Sequence, residues 1–152
     1  MTILYFEEIK IGQMWESTEY RISREEIIEF ASRWDPQPFH LDEEAAAQSI
    51  FGTLIASAPH TFAIQCYLVE KLDVRIAVLA GLGTPRFELP HPVRPGDRLH
   101  LERRILAKRL SQSKPGRGII TTEDLLKNQD DRIVLDSRHN IMVNCRPDGK
   151  KG

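Results

Sequence analysis

Pro59-His60-Thr61-Phe62-Ala63-Ile64-Gln65-Cys66-Tyr67-Leu68-Val69-Glu70-Lys71-Leu72 starts with proline, a residue favoured in the first helical turn, and is apolar on nearly every side apart from Gln65, Glu70 and Lys71. A helix of this kind is expected to be buried, and other elements must then wrap it. The sequence after it supplies them. Leu99, Leu101, Arg103, Ile105 and Ala107 alternate, as do Ile133, Leu135, Ser137, His139, Ile141 and Val143, with Ile119 to Leu126 between. Four strands are expected, over about 79–89, 98–110, 118–127 and 132–144. Arg94-Pro95-Gly96-Asp97 reads as a type II turn before the second of these, and Asn128-Gln129-Asp130-Asp131 as the hairpin between the last two.

Upstream, a strand is expected near 14–22. Ser23 and Glu26 form a capping box, and Ile27, Ile28, Ala31 and Trp34 recur at helical spacing behind it, which predicts a helix over about 24–34 that Pro36 ends. Asp42 reads as the N-cap of a short helix carrying Glu43 and Glu44 in its first turn and stopping near Gly52. The order predicts an α+β fold, an antiparallel sheet wrapped around one long apolar helix.

With 152 residues the chain reads as one domain over 1–147 and a disordered basic tail at 148–152. Hydrophobic residues make up 41% and charged residues 28%, and 21 basic against 22 acidic side chains leave a net charge of -1, a balance that argues against disorder and removes the electrostatic case for nucleic acid or an anionic membrane. Cys66 and Cys145 lack metal or disulfide spacing and are expected as reduced, buried thiols. Glu7, Glu8 and Lys10 interrupt any leader, and no apolar run approaches the roughly 18 residues of a membrane span. A cytoplasmic location is expected.

Two segments have the residue types for chemistry. Asp35 and His40 share a short proline-stiffened loop, Trp34-Asp35-Pro36-Gln37-Pro38-Phe39-His40, in which a carboxylate and an imidazole can act on one water molecule. Residue types alone leave open a plainer reading, with Asp35 capping a turn and His40 a satisfied loop histidine. The start of the apolar helix, Ile55-Ala56-Ser57-Ala58-Pro59, offers unpaired N–H groups and the positive dipole end to an oxygen gaining negative charge, and reads equally as a cap with small packing residues.

Asp35-Pro36-Gln37-Pro38-Phe39-His40-Leu41-Asp42, then Phe51-Gly52-Thr53-Leu54-Ile55-Ala56-Ser57, then Arg86-Phe87 with Pro92-Val93-Arg94-Pro95-Gly96-Asp97, resemble the MaoC-like, (R)-specific enoyl-CoA hydratase family in order along most of the chain. The resemblance implies a hotdog fold, a homodimer or larger assembly with sheets joined side by side, and hydration of a trans-2-enoyl thioester carried on coenzyme A or acyl carrier protein, with no metal or redox cofactor. It makes Asp35 and His40 catalytic and gives Gln37, Ser57 and Ala58 to substrate positioning and the oxyanion site. Three positions depart from the family pattern: Trp34 for Gly, Gln37 for Asn and Ala58 for Gly. The rival readings are a hotdog acyl-CoA thioesterase and a non-catalytic acyl-thioester-binding subunit of a heteromeric dehydratase. His60 and Thr61 are expected to pack behind the site, and His91, His100 and His139 to be structural or exposed. Arg103, Arg104, Lys108, Arg109, Lys114 and Arg117 read as a solvated face or a steering patch for phosphates.

Overall fold

The computed structural model describes residues 1–147; the expected tail at 148–152 lies outside them. In chain order the elements are β1 (Thr2–Leu4), a 3-10 turn (Phe6–Glu8), β2 (Met14–Glu16), β3 (Tyr20–Arg21), α1 (Arg24–Trp34), α2 (Pro38–Leu41), α3 (Glu43–Ala47), α4 (Ala58–Val69), β4 (Val74–Ile76), β5 (Val78–Glu88), β6 (Arg98–Leu110), β7 (Arg117–Lys127) and β8 (Ile133–Asn144). The main sheet runs β2-β6-β7-β8-β5, and every pairing in it is antiparallel. It curls round α4 in the hotdog arrangement, an α+β architecture.

Long strands β6, β7 and β8 bury alternate residues against the concave side, as the period-two pattern requires. Two apolar clusters fill that side. One joins Ile64 and Leu68 of α4 to Ile27, Leu99, Leu101, Leu126 and Leu135; the other joins Phe6 and Ile9 to Ile105, Ile120, Ile141 and Val143. Burying a side chain of this size contributes about 1.5–3 kcal/mol, so these clusters supply most of the drive to fold.

β5 follows α4 and β4 in sequence but lies at the far edge of the sheet from β2. The chain must therefore cross from β5 to β6, and the crossing at 89–97 passes the start of α4, where Ala56 N–H donates to the Val93 carbonyl at 2.9 Å. Pro95 and Gly96 then turn the chain into β6; Gly96 has φ +85°, the value a type II turn demands at its third residue, and Asp97 N–H closes the turn on the Arg94 carbonyl at 3.1 Å. This crossing is the roof of the cavity described below.

Several expected features take another form. The strand expected at 14–22 is two short pieces, both paired with β6. The expected strand at 79–89 starts earlier, and β4 before it pairs in parallel with β1, a pairing of only three residues per strand that leaves no periodic trace. The loop holding His40 contains a helical turn, because Pro38 at its first position is preset for helical φ. The helix capped by Asp42 is one turn long and ends at Ala47, ahead of Gly52. α4 is buried on one face only: Pro59, Ala63, Cys66 and Tyr67 are exposed in the single chain. Cys66 is thus exposed and Cys145 half-buried, not core thiols as expected. The basic run is not one face either. Arg103 is buried against Asp124 through two bonds of 2.8 and 2.7 Å, and Lys108 donates to the Phe6 and Ile9 carbonyls at 2.8 and 2.7 Å.

Candidate active site

α1 delivers the carboxylate. Ser23 accepts from Glu26 N–H at its start, and Asp35 is its C-cap, donating its own N–H to the Ala31 carbonyl at 2.9 Å. Pro36 forbids another helical residue at 35, and Gln37 N–H returns to the Asp35 carbonyl at 2.8 Å, a tight reversal that leads straight into α2. His40 lies on that turn, its N–H donating to the Gln37 carbonyl at 3.0 Å and its ring set against Phe39 at a centroid distance of 4.4 Å.

The ring of His40 is buried and held from behind: Nδ1 lies 2.7 Å from the Ile55 carbonyl oxygen, an acceptor that requires the proton on Nδ1. Nε2 is then the bare nitrogen of the neutral ring, and it faces Asp35 Oδ2 at 3.6 Å. That separation is too long for a direct hydrogen bond, and one water or substrate oxygen can touch both groups. The Asp35 carboxylate retains 27% of its exposure, so it meets solvent from the cavity side while His40 does not.

Both groups face an open cavity of about 450 Å³. Its polar lining is Asp35, Gln37, His40, Thr61 and His91; Phe39, Phe51, Ile55, Leu89 and Val93 form much of the apolar wall. Ala58, first residue of α4, also lines it, and a first-turn N–H has no intrahelical acceptor. The positive end of the α4 dipole therefore opens into the same space as the acid and the imidazole.

Of the other expected site residues, Gln37 and Ala58 reach the cavity and Ser57 does not. Gln37 lines the cavity, and its carboxamide makes no hydrogen bond among the described residues. Ser57 is fully buried, its hydroxyl accepting from His60 N–H at 3.3 Å as the α4 cap, and it does not line the cavity. His60 packs, as expected, stacking on Phe30 of α1 at 4.5 Å with its Nε2 3.9 Å from Glu26. Burial pushes the His60 imidazole below its usual value, against the smaller pull of Glu26, while partial burial and a 2.5 Å bond donated to Glu26 push the half-buried Tyr20 up to about 12. His91 is the residue that sequence reasoning missed. It stands on the cavity wall with Nδ1 bonded to the Ile133 carbonyl at 3.1 Å. Its place directly before Pro92-Val93-Arg94-Pro95-Gly96-Asp97, the crossing segment, was the available signal.

His139 is structural, part of a buried polar network. Its Nε2 is 3.5 Å from Asp124 and 2.9 Å from Ser137 Oγ, and Gln65 Nε2 reaches both Ser137 and His139, at 2.9 and 3.2 Å. With Arg103 these form a polar belt between the two apolar clusters. Burial holds the His139 imidazole low, Asp124 opposing and Arg103 adding to the effect.

The chain is similar to known proteins in both sequence and fold. Residues 8–125 match the MaoC like domain family. A MaoC-like dehydratase from Rhodospirillum rubrum superimposes with a TM-score of 0.88, is 40% identical, and the match covers 95% of this chain and 99% of that one. The uncharacterized protein YdeM of Bacillus subtilis is 29% identical over 138 residues, 90% of this chain and 96% of its own. The 3-hydroxyacyl-thioester dehydratase Z of Mycobacterium tuberculosis is 38% identical over 91 residues, 55% of this chain and 57% of its own.

Proposed function

The chain belongs to the MaoC like domain family, a family of hydratases and dehydratases, and from that premise we propose that it adds water to, or removes it from, a trans-2-enoyl (3-hydroxyacyl) thioester. The observation that carries the proposal is the 3.6 Å gap between Asp35 Oδ2 and His40 Nε2 on the wall of a cavity that also receives the α4 N-terminus. In the hydration direction Asp35 orients a water molecule. His40 Nε2 takes one of its protons as the water oxygen bonds to C3, and the electron pair of the double bond moves toward the thioester carbonyl. The Ala58 N–H and the helix dipole stabilise the enolate oxygen that forms, and the proton held by His40 returns to C2. One water is added in total. The chemistry calls for no metal or redox group, since the helix terminus polarises the carbonyl and two side chains move the proton.

The acyl carrier in this reading is coenzyme A or acyl carrier protein, and the working unit is a homodimer. β5 supports the second point. It is an edge strand on which Val78, Leu79, Leu82 and Phe87 are all exposed, beside the exposed apolar face of α4, an edge that a solitary chain would leave open to association.

Loss of the enoyl-thioester absorbance of crotonyl-CoA tests the reading. Turnover by the wild type is expected to fall by at least about 10²-fold in both Asp35→Asn and His40→Ala, the range that a lost general acid or base removes. Undiminished turnover in both variants sinks the assignment, and release of free thiol from acyl-CoA in place of hydration identifies a thioesterase.

A further inference from the structure

One face of α4 serves two cavities in succession. Ala58 and Thr61 line the cavity of the Asp35–His40 pair; Phe62, Gln65, Cys66 and Val69 continue the same stripe at three- and four-residue spacing and line a second cavity of about 370 Å³. The sheet changes over at the same level. Leu89 and Val134 belong to the first cavity, Gly81, Gly83, His139 and Ile141 to the second. At the changeover Phe87 of β5 pairs in register with Ser137 of β8, and Phe62 reaches across from α4 to meet Phe87 edge to face at 5.6 Å while stacking on His139 at 6.0 Å. Three aromatic rings, one from each element, meet at this level, between the residues that line the first cavity and those that line the second.

Taking the thioester reading of the first cavity as given, we infer that the Phe62–Phe87 pair is the end wall of its acyl subsite and restricts the protein to short acyl chains. With the thioester oxygen at Ala58 N–H, the chain runs along α4 toward Phe62, four residues on and about 6 Å along the helix axis at 1.5 Å per residue. A chain of butanoyl size ends at the rings. A longer one must displace them from a stack that His139 holds from behind, and His139 is itself fixed by Ser137 and Gln65. Beyond the wall the space is available. The Arg103–Asp124 pair on the floor of the second cavity is mutually satisfied, and Val69, Val78 and Ile141 form apolar sides. Removing a ring joins the two cavities into one trough.

Calorimetric titration of the full-length chain with butanoyl-, hexanoyl-, octanoyl- and decanoyl-CoA reads the wall directly, without any need for turnover. Each methylene buried adds about fourfold in Kd (~0.8 kcal/mol). Wild-type affinity is expected to stop rising at or before hexanoyl, whereas in Phe62→Ala it continues to rise through octanoyl, giving an octanoyl-to-butanoyl affinity ratio at least about tenfold above that of the wild type. Phe87→Ala, at a ring 41% exposed in the edge strand, is the second variant should Phe62→Ala fail to fold, and the same change is expected there. Identical chain-length profiles in wild type and variants overturn the wall. A chain-length step without hydration of crotonyl-CoA keeps the wall and overturns the hydratase reading, and absence of binding by every acyl-CoA overturns both.

Discussion

The Ile55 carbonyl holds His40 by Nδ1 at 2.7 Å, and this one buried contact decides which face of the imidazole can do chemistry. Ile55 lies in the extended stretch before α4, so the segment that ends in the helix N-terminus also sets the tautomer of His40. The neutral ring must carry its proton on Nδ1, the less common choice for a free histidine, leaving Nε2 to accept a proton beside Asp35. Long-range proton–nitrogen NMR of the labelled chain above neutral pH is expected to show Nδ1 protonated and Nε2 bare at His40. A proton on Nε2 instead would remove His40 from the role of base.

The local parts of this site are legible in the sequence. Ser23 and Glu26 announce the start of α1, Pro36 its end, and Asp42 the next cap, because each acts through neighbours within four residues. The alternation of β6 and β8 is as plain, since one face of each is buried. What was not legible depends on residues brought together from far apart. Arg103, Asp124, Ser137 and His139 each occupy a core-facing position of a strand, and nothing in any one strand reveals that the other three answer it across the sheet. Ser57 shares its stretch with Ala58, yet its hydroxyl turns inward to cap α4 and does not reach the cavity, a difference set by the helix start and not by residue type. His91 enters the site through the crossing from β5 to β6, a consequence of strand order alone.

The buried Arg103–Asp124 pair has a one-sided energetic signature. Asp124 is 1% exposed and Arg103 6%, and each meets the other through two hydrogen bonds. Arg103→Met leaves a buried carboxylate without its cation and is expected to cost about 3–5 kcal/mol of unfolding free energy, whereas the double change Arg103→Met with Asp124→Leu is expected to recover most of that loss. Urea unfolding of the two variants measures the difference. Equal destabilisation in both would mean that packing, not the unpaired charge, dominates.

His60 and His139 are both held by burial below the ordinary imidazole value, and this gives stability a definite pH dependence. Above about pH 6.5 both are neutral whether the chain is folded or not, and neither contributes a slope. As pH falls below that value the unfolded chain takes up protons that the folded chain refuses, so the unfolded state gains and stability drops until the lowered folded-state values are passed. The urea midpoint is expected to decrease from pH 7.5 to 5.5, and less so in His139→Gln, which removes one of the two groups. A wild-type midpoint that stays flat across this window contradicts the assignment.

Gly118 on β7 faces Phe6 so closely that a Cβ would lie 2.3 Å from its ring and 2.9 Å from the Arg109 carbonyl oxygen. The N-terminal 3-10 turn is thereby pressed flat on the sheet, and the same ring lies 4.4 Å under the Lys108 ammonium. Gly118→Ala is expected to destabilise by about 1–3 kcal/mol through overpacking, and Phe6→Leu, which shortens the ring, is expected to make the same substitution cheaper. Denaturation of the four chains in this cycle gives the coupling; simple additivity would show that the backbone at Arg109, not Phe6, resists the methyl.

The edge strand supplies the last prediction. Gly81, Gly83 and Pro85 disturb the pairing of β5 with β8, and the register shifts between Val78 and Arg86. Natural edges are usually blunted by charge, yet Val78, Leu79, Leu82 and Phe87 leave this one apolar along its length, with Arg86 and Glu88 only at its end. A second copy laid against it would also cover the exposed face of α4, where Tyr67 is 49% accessible. Leu82→Lys places a charge in the middle of that surface without touching the Asp35–His40 pair. Sedimentation velocity is expected to show a dimer for the wild type and a shift toward monomer for Leu82→Lys, because desolvating an unpaired ammonium opposes association. A wild-type chain that sediments as a monomer at micromolar concentration would rule out this edge as the dimer contact.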